Sequence, residues 1–245
     1  MKTGISLLLA ALLCFPGLSG GSMKTEDSSS PESAEEIMET HEPTIDWRAD
    51  TTGKYRKDED VHCLVCVQAT SKNTARVLMF EKSVLKGKNI WTKTLECEGY
   101  IGQNGLGKTK EGDGRTPVGD FGITVAFGIK EDPGTGLNYV DVTEDTWCCG
   151  DKKAYNQIID IKDCPHECEG EHMIECTPEY NYGLFLDYNK EGKAGLGSAI
   201  FLHCKGAKTC TGGCIALDEE YVVQILQAAD ENTRVIIDYA TDYSD

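Results

Sequence analysis

The sequence predicts a mainly β fold with one principal helix and a cysteine-rich insertion. Three observations carry that expectation. Short runs rich in β-branched and aromatic residues recur from Val61 onward, with turn residues between them. A single clear helical period appears late, where Tyr221, Val222, Ile225, Leu226 and Ala229 share one face behind Asp218. Between residues 145 and 178 lies a polar insertion that carries Cys148, Cys149, Cys164, His166, Cys168, His172 and Cys176.

In chain order, residues 1–20 read as a secretory signal. Lys2 supplies a positive start, Ile5–Phe15 an apolar core, and Gly17, Ser19 and Gly20 a small-residue exit. The apolar run is too short to span a bilayer, and no later segment resembles a transmembrane helix. Cys14 follows the bulky Leu13, so a cleaved signal is expected rather than a lipidated cysteine. Residues 21–60 form an acidic linker, opened by Ser28-Ser29-Ser30-Pro31 and continued by Glu32, Glu35, Glu36 and Glu39. Such composition buries too little apolar surface to offset ordering, so disorder is expected.

The folded domain is expected over residues 61–240, followed by a tail at 241–245. Val61–Thr70, Ala75–Ser83 and Ile90–Tyr100 read as strands, and Gly102–Gly114 as a loop. Phe121–Ile129, Gly183–Tyr188, Ser198–His203 and Thr233–Tyr239 are further strands. Cys63 and Cys66 have the spacing of a redox motif. They sit in a strand pattern, however, where residues three apart point to opposite faces. A redox pair should open a helix instead. Asp218 is placed as the helix N-cap, with Glu219 and Glu220 in the first turn. No internal repeat is visible.

The formal charge is −17. It argues against a nucleic-acid partner, since phosphate binding needs a basic patch. The chain has twelve cysteines. Setting aside Cys14 with the signal and Cys214 as a free thiol leaves ten, enough for five bridges in a secreted protein. The thiols and imidazoles of the insertion are zinc ligands by type, but their spacing fits no common finger pattern. Disulfides are therefore expected there, and no metal or other cofactor is assigned. The insertion reads either as a lid over a groove or as stapled surface decoration.

Two segments carry chemistry. Phe201-Leu202-His203-Cys204 places a histidine on an apolar strand, and Thr211-Gly212-Gly213-Cys214 places a cysteine behind two glycines. A thiol needs a base to become a nucleophile at neutral pH, and an imidazole can take the proton and later return it to a leaving amine. Glycines beside the nucleophile let a carbonyl approach backbone N–H groups. Cys204 and Cys210 flank the loop between base and nucleophile and are expected to pair, with a Cys210–Cys214 redox lock as the competing arrangement.

Together with Gly112-Asp113-Gly114-Arg115-Thr116-Pro117-Val118-Gly119-Asp120-Phe121, these segments resemble the L,D-transpeptidase catalytic domain (YkuD type) over roughly Val61–Tyr239. The resemblance implies a β-sandwich-like fold and a cysteine enzyme of the cell wall that needs no cofactor. It implies attack on a peptidoglycan stem tetrapeptide, release of D-alanine, and a thioester resolved by a neighbouring amine into a 3–3 crosslink. Cys214 would be the nucleophile and His203 the base, with Gly213, Gly212 and Thr211 supporting the oxyanion site. The dipole of the following helix would favour the thiolate. Lys205, Lys208 and Arg115 are weaker candidates for the substrate carboxylate. The sequence departs from the family pattern at Gly212, where a second histidine is usual, and at Ala216, where an arginine is common. Three other readings stay open: an L,D-carboxypeptidase acting on the same bond, a non-catalytic, disulfide-rich wall-binding module, and a metal-binding secreted protein built on the Cys/His insertion.

Overall fold

A computed structural model describes residues 52–243. The signal expected at 1–20, the linker up to residue 51 and the last two residues of the tail lie outside the described residues. The elements are α1 (Thr52–Lys54, a single turn), β1 (Cys63–Ala69), β2 (Thr74–Leu85), β3 (Lys88–Tyr100), β4 (Gly119–Phe121), β5 (Ile123–Gly128) and β6 (Tyr139–Asp141). There follow β7 (Thr146–Cys149), β8 (Gln157–Asp160), β9 (Gly170–His172), β10 (Gly183–Leu186), β11 (Phe201–Cys204), β12 (Ile215–Leu217), α2 (Glu219–Ala228) and β13 (Arg234–Tyr239). The mainly β expectation holds. Ten strands form one mixed sheet in the order β4-β13-β1-β2-β3-β12-β11-β10-β5-β6, and β8-β7-β9 form a second, small sheet.

The large sheet curls around one core. Val65 and Val67 of β1, Val77 of β2 and Leu95 of β3 meet Leu184 and Leu186 of β10, Leu202 of β11 and Ile215 and Leu217 of β12. The apolar face of α2 (Val222, Ile225 and Leu226) fills the same core. β2 shows how sequence period becomes packing. From Thr74 to Met79 every second residue is buried, as a half-buried strand requires. β1 is buried on both faces: Cys63 joins the main core and Cys66 joins a smaller cluster with Leu64 and Tyr55. The two cysteines thus diverge, as the strand reading expects. Tyr55 is buried and its hydroxyl donates to Asp120, so packing begins before Val61.

Several details differ from the sequence expectations. The predicted strand Phe121–Ile129 breaks at Gly122, whose N–H donates to Asp187 Oδ1 at 2.8 Å. A Cβ there would lie 2.9 Å from Asp187 Oδ2. β4 consequently pairs with β13, and β5 with β10. Asp218 stands at the N-cap position of α2, but its side chain makes no capping bond. Its carboxylate instead pairs with Lys205 Nζ at 2.9 Å.

The disulfide framework is also corrected: all eleven cysteines among the described residues are free. The expected Cys204–Cys210 bridge is not formed. Cys204 points into the main core and its thiol donates to the Tyr182 carbonyl, whereas Cys210 lines a surface cleft. A bridge would have to cross the sheet. No helix among the described residues is long and apolar enough to cross a membrane.

Candidate active site

Parallel pairing of β11 with β12 builds the site. The register sets Leu202 opposite Ile215 and His203 opposite Ala216. Side chains alternate along a strand, so Leu202, Cys204, Ile215 and Leu217 enter the core. Phe201 and His203 point to the other face. Cys214, two residues before Ala216, projects to that same face and packs against the aromatic cluster of Phe127, Tyr180 and Phe201. His203 on β11 and Cys214 just before β12 therefore face the same side of the sheet, and both line one cleft of about 910 Å³.

The hydrogen bonds define the resting chemistry. Cys214 Sγ donates to the Ala199 carbonyl at 3.0 Å and accepts from the Phe201 N–H at 3.4 Å. Its surface is partly open to the cleft, yet enough protein surrounds the sulfur that burial pushes the thiol up to about 12. The Glu171 carboxylate adds to that rise, while the Phe201 N–H and Lys108 oppose it. Cys214 thus rests as a neutral thiol. His203 is only 7% exposed, and the Tyr180 ring meets it edge-on at 5.5 Å. Burial holds its pKa below the ordinary histidine value, against the Cys204 carbonyl and Glu179, which favour the charged form. Its Nδ1 lies 2.7 Å from the Cys204 carbonyl. A carbonyl can only accept, so Nδ1 carries the proton and Nε2 keeps a lone pair. The imidazole is neutral and able to take a proton.

The loop before Cys214 is fixed from both ends. Gln103 N donates to the Thr211 carbonyl at 2.9 Å, and Thr211 N to the Ile101 carbonyl at 3.0 Å. The Thr211 hydroxyl donates to the Cys214 carbonyl at 2.7 Å and accepts from Gly213 N at 3.1 Å. Gly213 has φ +149°, and a Cβ on it would lie 2.8 Å from the Arg115 carbonyl. Only glycine fits that position without strain. Gly212 is exposed, with nothing within 4 Å of a Cβ built on it.

The Gly112–Phe121 segment meets this loop through Thr116, whose hydroxyl donates to the Cys214 carbonyl at 3.5 Å. Asp113 accepts from the backbone N–H groups of Thr109 at 2.8 Å, Lys110 at 3.1 Å and Arg115 at 3.0 Å. It also pairs with Lys108 Nζ at 3.0 Å, and both side chains are buried (2% and 7% exposed). Burial opposes its charge, but these four donors together hold its carboxyl well below the usual range. Lys108 in turn lines the cleft, where its charge bears on Cys214.

With this geometry in place, comparison with known families is decisive. The L,D-transpeptidase catalytic domain (YkuD) matches residues 70–237, well over half of the chain.

The chain belongs to the YkuD family.

The fold and the cell-wall enzyme class expected from the resemblance stand on that match, and the family acts on peptidoglycan. No curated protein matches the sequence. Within this YkuD domain the sequence-predicted residues divide. Cys214, His203, Thr211, Gly212, Gly213, Lys208 and Cys210 share the cleft. Lys205 does not; its ammonium is held by the Glu98 carbonyl and Asp218 and lies 5.0 Å from the Tyr100 ring centroid. Arg115 also stays outside, donating to the Leu106 carbonyl at 2.8 Å. The helix-dipole expectation needs correction. β12 separates Cys214 from α2, and α2 packs on the opposite face of the sheet.

Sequence reasoning assigned no individual role to Lys108, Asp113, Glu111 or Tyr155, although Asp113 lies in the segment that carries the resemblance. Tyr155 and Ser198 both donate to the Glu111 carboxylate at the cleft. The signal for Asp113 was present. An Asp followed by Gly and Arg at the end of a loop is a common site for side-chain to backbone bonding.

Proposed function

We propose that this protein is a secreted cysteine acyltransferase that joins peptidoglycan stem peptides into 3–3 crosslinks. The observation that carries this reading is the shared cleft, lined by a neutral imidazole on β11 and a neutral thiol just before β12. In the reaction, His203 Nε2 takes the Cys214 proton as Sγ attacks the carbonyl of the bond before the terminal D-alanine. The N–H of Cys214, with that of Gly213 once it leaves Thr211, faces the developing oxyanion. Collapse expels D-alanine, which receives its proton from His203, and leaves a thioester on Cys214. His203 then takes a proton from an acceptor amine as that amine attacks the thioester.

The charge of the cleft supports an amine acceptor. Glu111, Glu169, Glu171, Glu175 and Glu179 line it against Lys108 and Lys208. That balance favours a stem peptide presenting an ammonium group over one presenting only carboxylates. The apolar N-terminal run and its small-residue exit support action outside the cytoplasm, at the wall. The test is incubation with a disaccharide tetrapeptide, followed by mass spectrometry of the products. Free D-alanine with a crosslinked dimer supports transfer. D-Alanine with tripeptide alone replaces the reading by hydrolysis, and an unchanged substrate overturns the acyl-transfer assignment.

A further inference from the structure

The small sheet in the insertion carries a second chemical cluster, separate from Cys214 and His203. Cys149 ends β7, and Asp151 follows in the next turn. His166 and Cys168 lie in the loop leading to β9. One ligand atom from each of these four residues falls within 4.8 Å of every other. Cys149 Sγ is 3.3 Å from His166 Nε2, and Asp151 Oδ2 is 2.9 Å from the same nitrogen.

Three observations point to a ligand shared by these atoms. Asp151 Oδ2 is buried and has no hydrogen-bond donor, despite its closeness to His166. A buried carboxylate oxygen without a donor is costly unless something cationic meets it. Asp151 Oδ1, in contrast, accepts from Lys153 N at 2.7 Å, which fixes the direction in which Oδ2 points. His166 Nδ1 lies 2.6 Å from the Cys164 carbonyl. Nδ1 therefore carries the proton and Nε2 offers its lone pair to the cluster, the arrangement in which an outer hydrogen bond orients a metal-binding imidazole.

We propose that Cys149, Asp151, His166 and Cys168 bind one zinc ion. Two sulfurs, one imidazole nitrogen and one carboxylate oxygen form a tetrahedral donor set that suits zinc over the hard cations magnesium and calcium. Zinc bond lengths of about 2.0–2.3 Å place tetrahedral ligand atoms about 3.3–3.8 Å apart, within the span this cluster already occupies. Binding releases the two thiol protons, so Zn²⁺ is held by two thiolates, one carboxylate and a neutral imidazole.

The site joins the two ends of the insertion. The β7–β9 pairing is already close: a Cβ on Gly150 would lie 2.2 Å from the Glu169 carbonyl, and one on Gly170 would lie 2.1 Å from the Cys148 carbonyl. Glu169, Gly170 and Glu171 form part of the cleft wall. The ion would thus fasten one wall of the cleft from behind and take no part in the chemistry at Cys214. This accounts for cysteines in the insertion by metal binding where the sequence favoured disulfides.

The test uses the full chain, reduced and stripped of metal, then titrated with zinc and separately with cobalt(II). One zinc bound per chain is expected, together with a cobalt spectrum showing thiolate-to-metal charge transfer and tetrahedral d–d bands. Cys149→Ser and Cys168→Ser should lose the charge-transfer intensity in part, and the double variant entirely, while Cys164→Ser should match the parent. If the variants do not fold, the parent cobalt spectrum decides alone. Absence of binding to the reduced parent, an octahedral cobalt spectrum without charge transfer, or a folded double variant that binds like the parent overturns the proposal.

Discussion

Raising the pH should unmask Cys214 in a way that reports its resting state. Burial pushes this thiol up to about 12, against about 8.5 for a free cysteine. A raised thiol pKa leaves less thiolate at any given pH below it. At pH 7 the thiolate fraction is about 10⁻⁵ for Cys214 and about 3% for a free cysteine, a ratio of about 3,000. The more basic thiolate is the stronger nucleophile, which returns a factor of about 40 for a Brønsted slope near 0.45. Alkylation of Cys214 by iodoacetamide should therefore run about 100-fold slower than that of a free cysteine at pH 7. The rate should then climb about tenfold per pH unit through pH 10, with no plateau. Peptide-level mass spectrometry separates Cys214 from the other ten free cysteines of the described chain. A rate at or above that of free cysteine, flat between pH 6 and 9, would show a resting thiolate–imidazolium pair and refute this account.

Further outcomes follow from the geometry. Gly213→Ala meets both a φ of +149° and the Arg115 carbonyl at 2.8 Å, and should lose about 2–4 kcal/mol of stability or displace Cys214 with loss of turnover. Gly212→Ala faces open space and should leave both unchanged; thermal melts and initial rates compare the two. Asp113→Ala strands the buried Lys108 ammonium and three backbone donors, so calorimetry should show about 3–5 kcal/mol lost and a fall in Tm of about 6 °C or more. The folded-state pKa of Asp113 is depressed. Its contribution is therefore present above the unfolded value near 3.9 and lost as pH falls toward the folded value. The Asp113→Ala deficit should accordingly shrink in melts recorded below about pH 4. His203→Gln removes the lone pair at Nε2 and should lower kcat/KM by about 10²–10⁴. With His203 intact, neutral imidazole should persist below its ordinary pKa, so the acid limb of kcat/KM should fall below about pH 6.5.

The long strands and α2 were legible because their periods run through enough residues to be seen. β2 alternates over six positions, and α2 repeats its apolar face through Val222, Ile225 and Leu226. β4, β6, β9 and β12 are three residues each, too short to carry a period, and they form by pairing with neighbours already in place. That Cys214 and His203 would meet in one cleft was legible from residue types in a pattern. Their protonation was not. It depends on the aromatic cluster and on carbonyls at Ala199 and Cys204 that meet them only in the folded chain. The same limit misplaced Lys205, whose partner Asp218 read as a helix cap. It also turned the cysteines of the insertion into expected bridges, since parity counts thiols without showing which faces they occupy.

The central claim is that Cys214 carries the acyl group. Intact-protein mass spectrometry during turnover of a disaccharide tetrapeptide tests it most directly. A covalent adduct equal in mass to the substrate minus D-alanine, mapped to Cys214, discharged by hydroxylamine and absent from Cys214→Ala, is the expected result. Turnover with no such adduct under quenching conditions, or full activity in Cys214→Ala, would contradict the account.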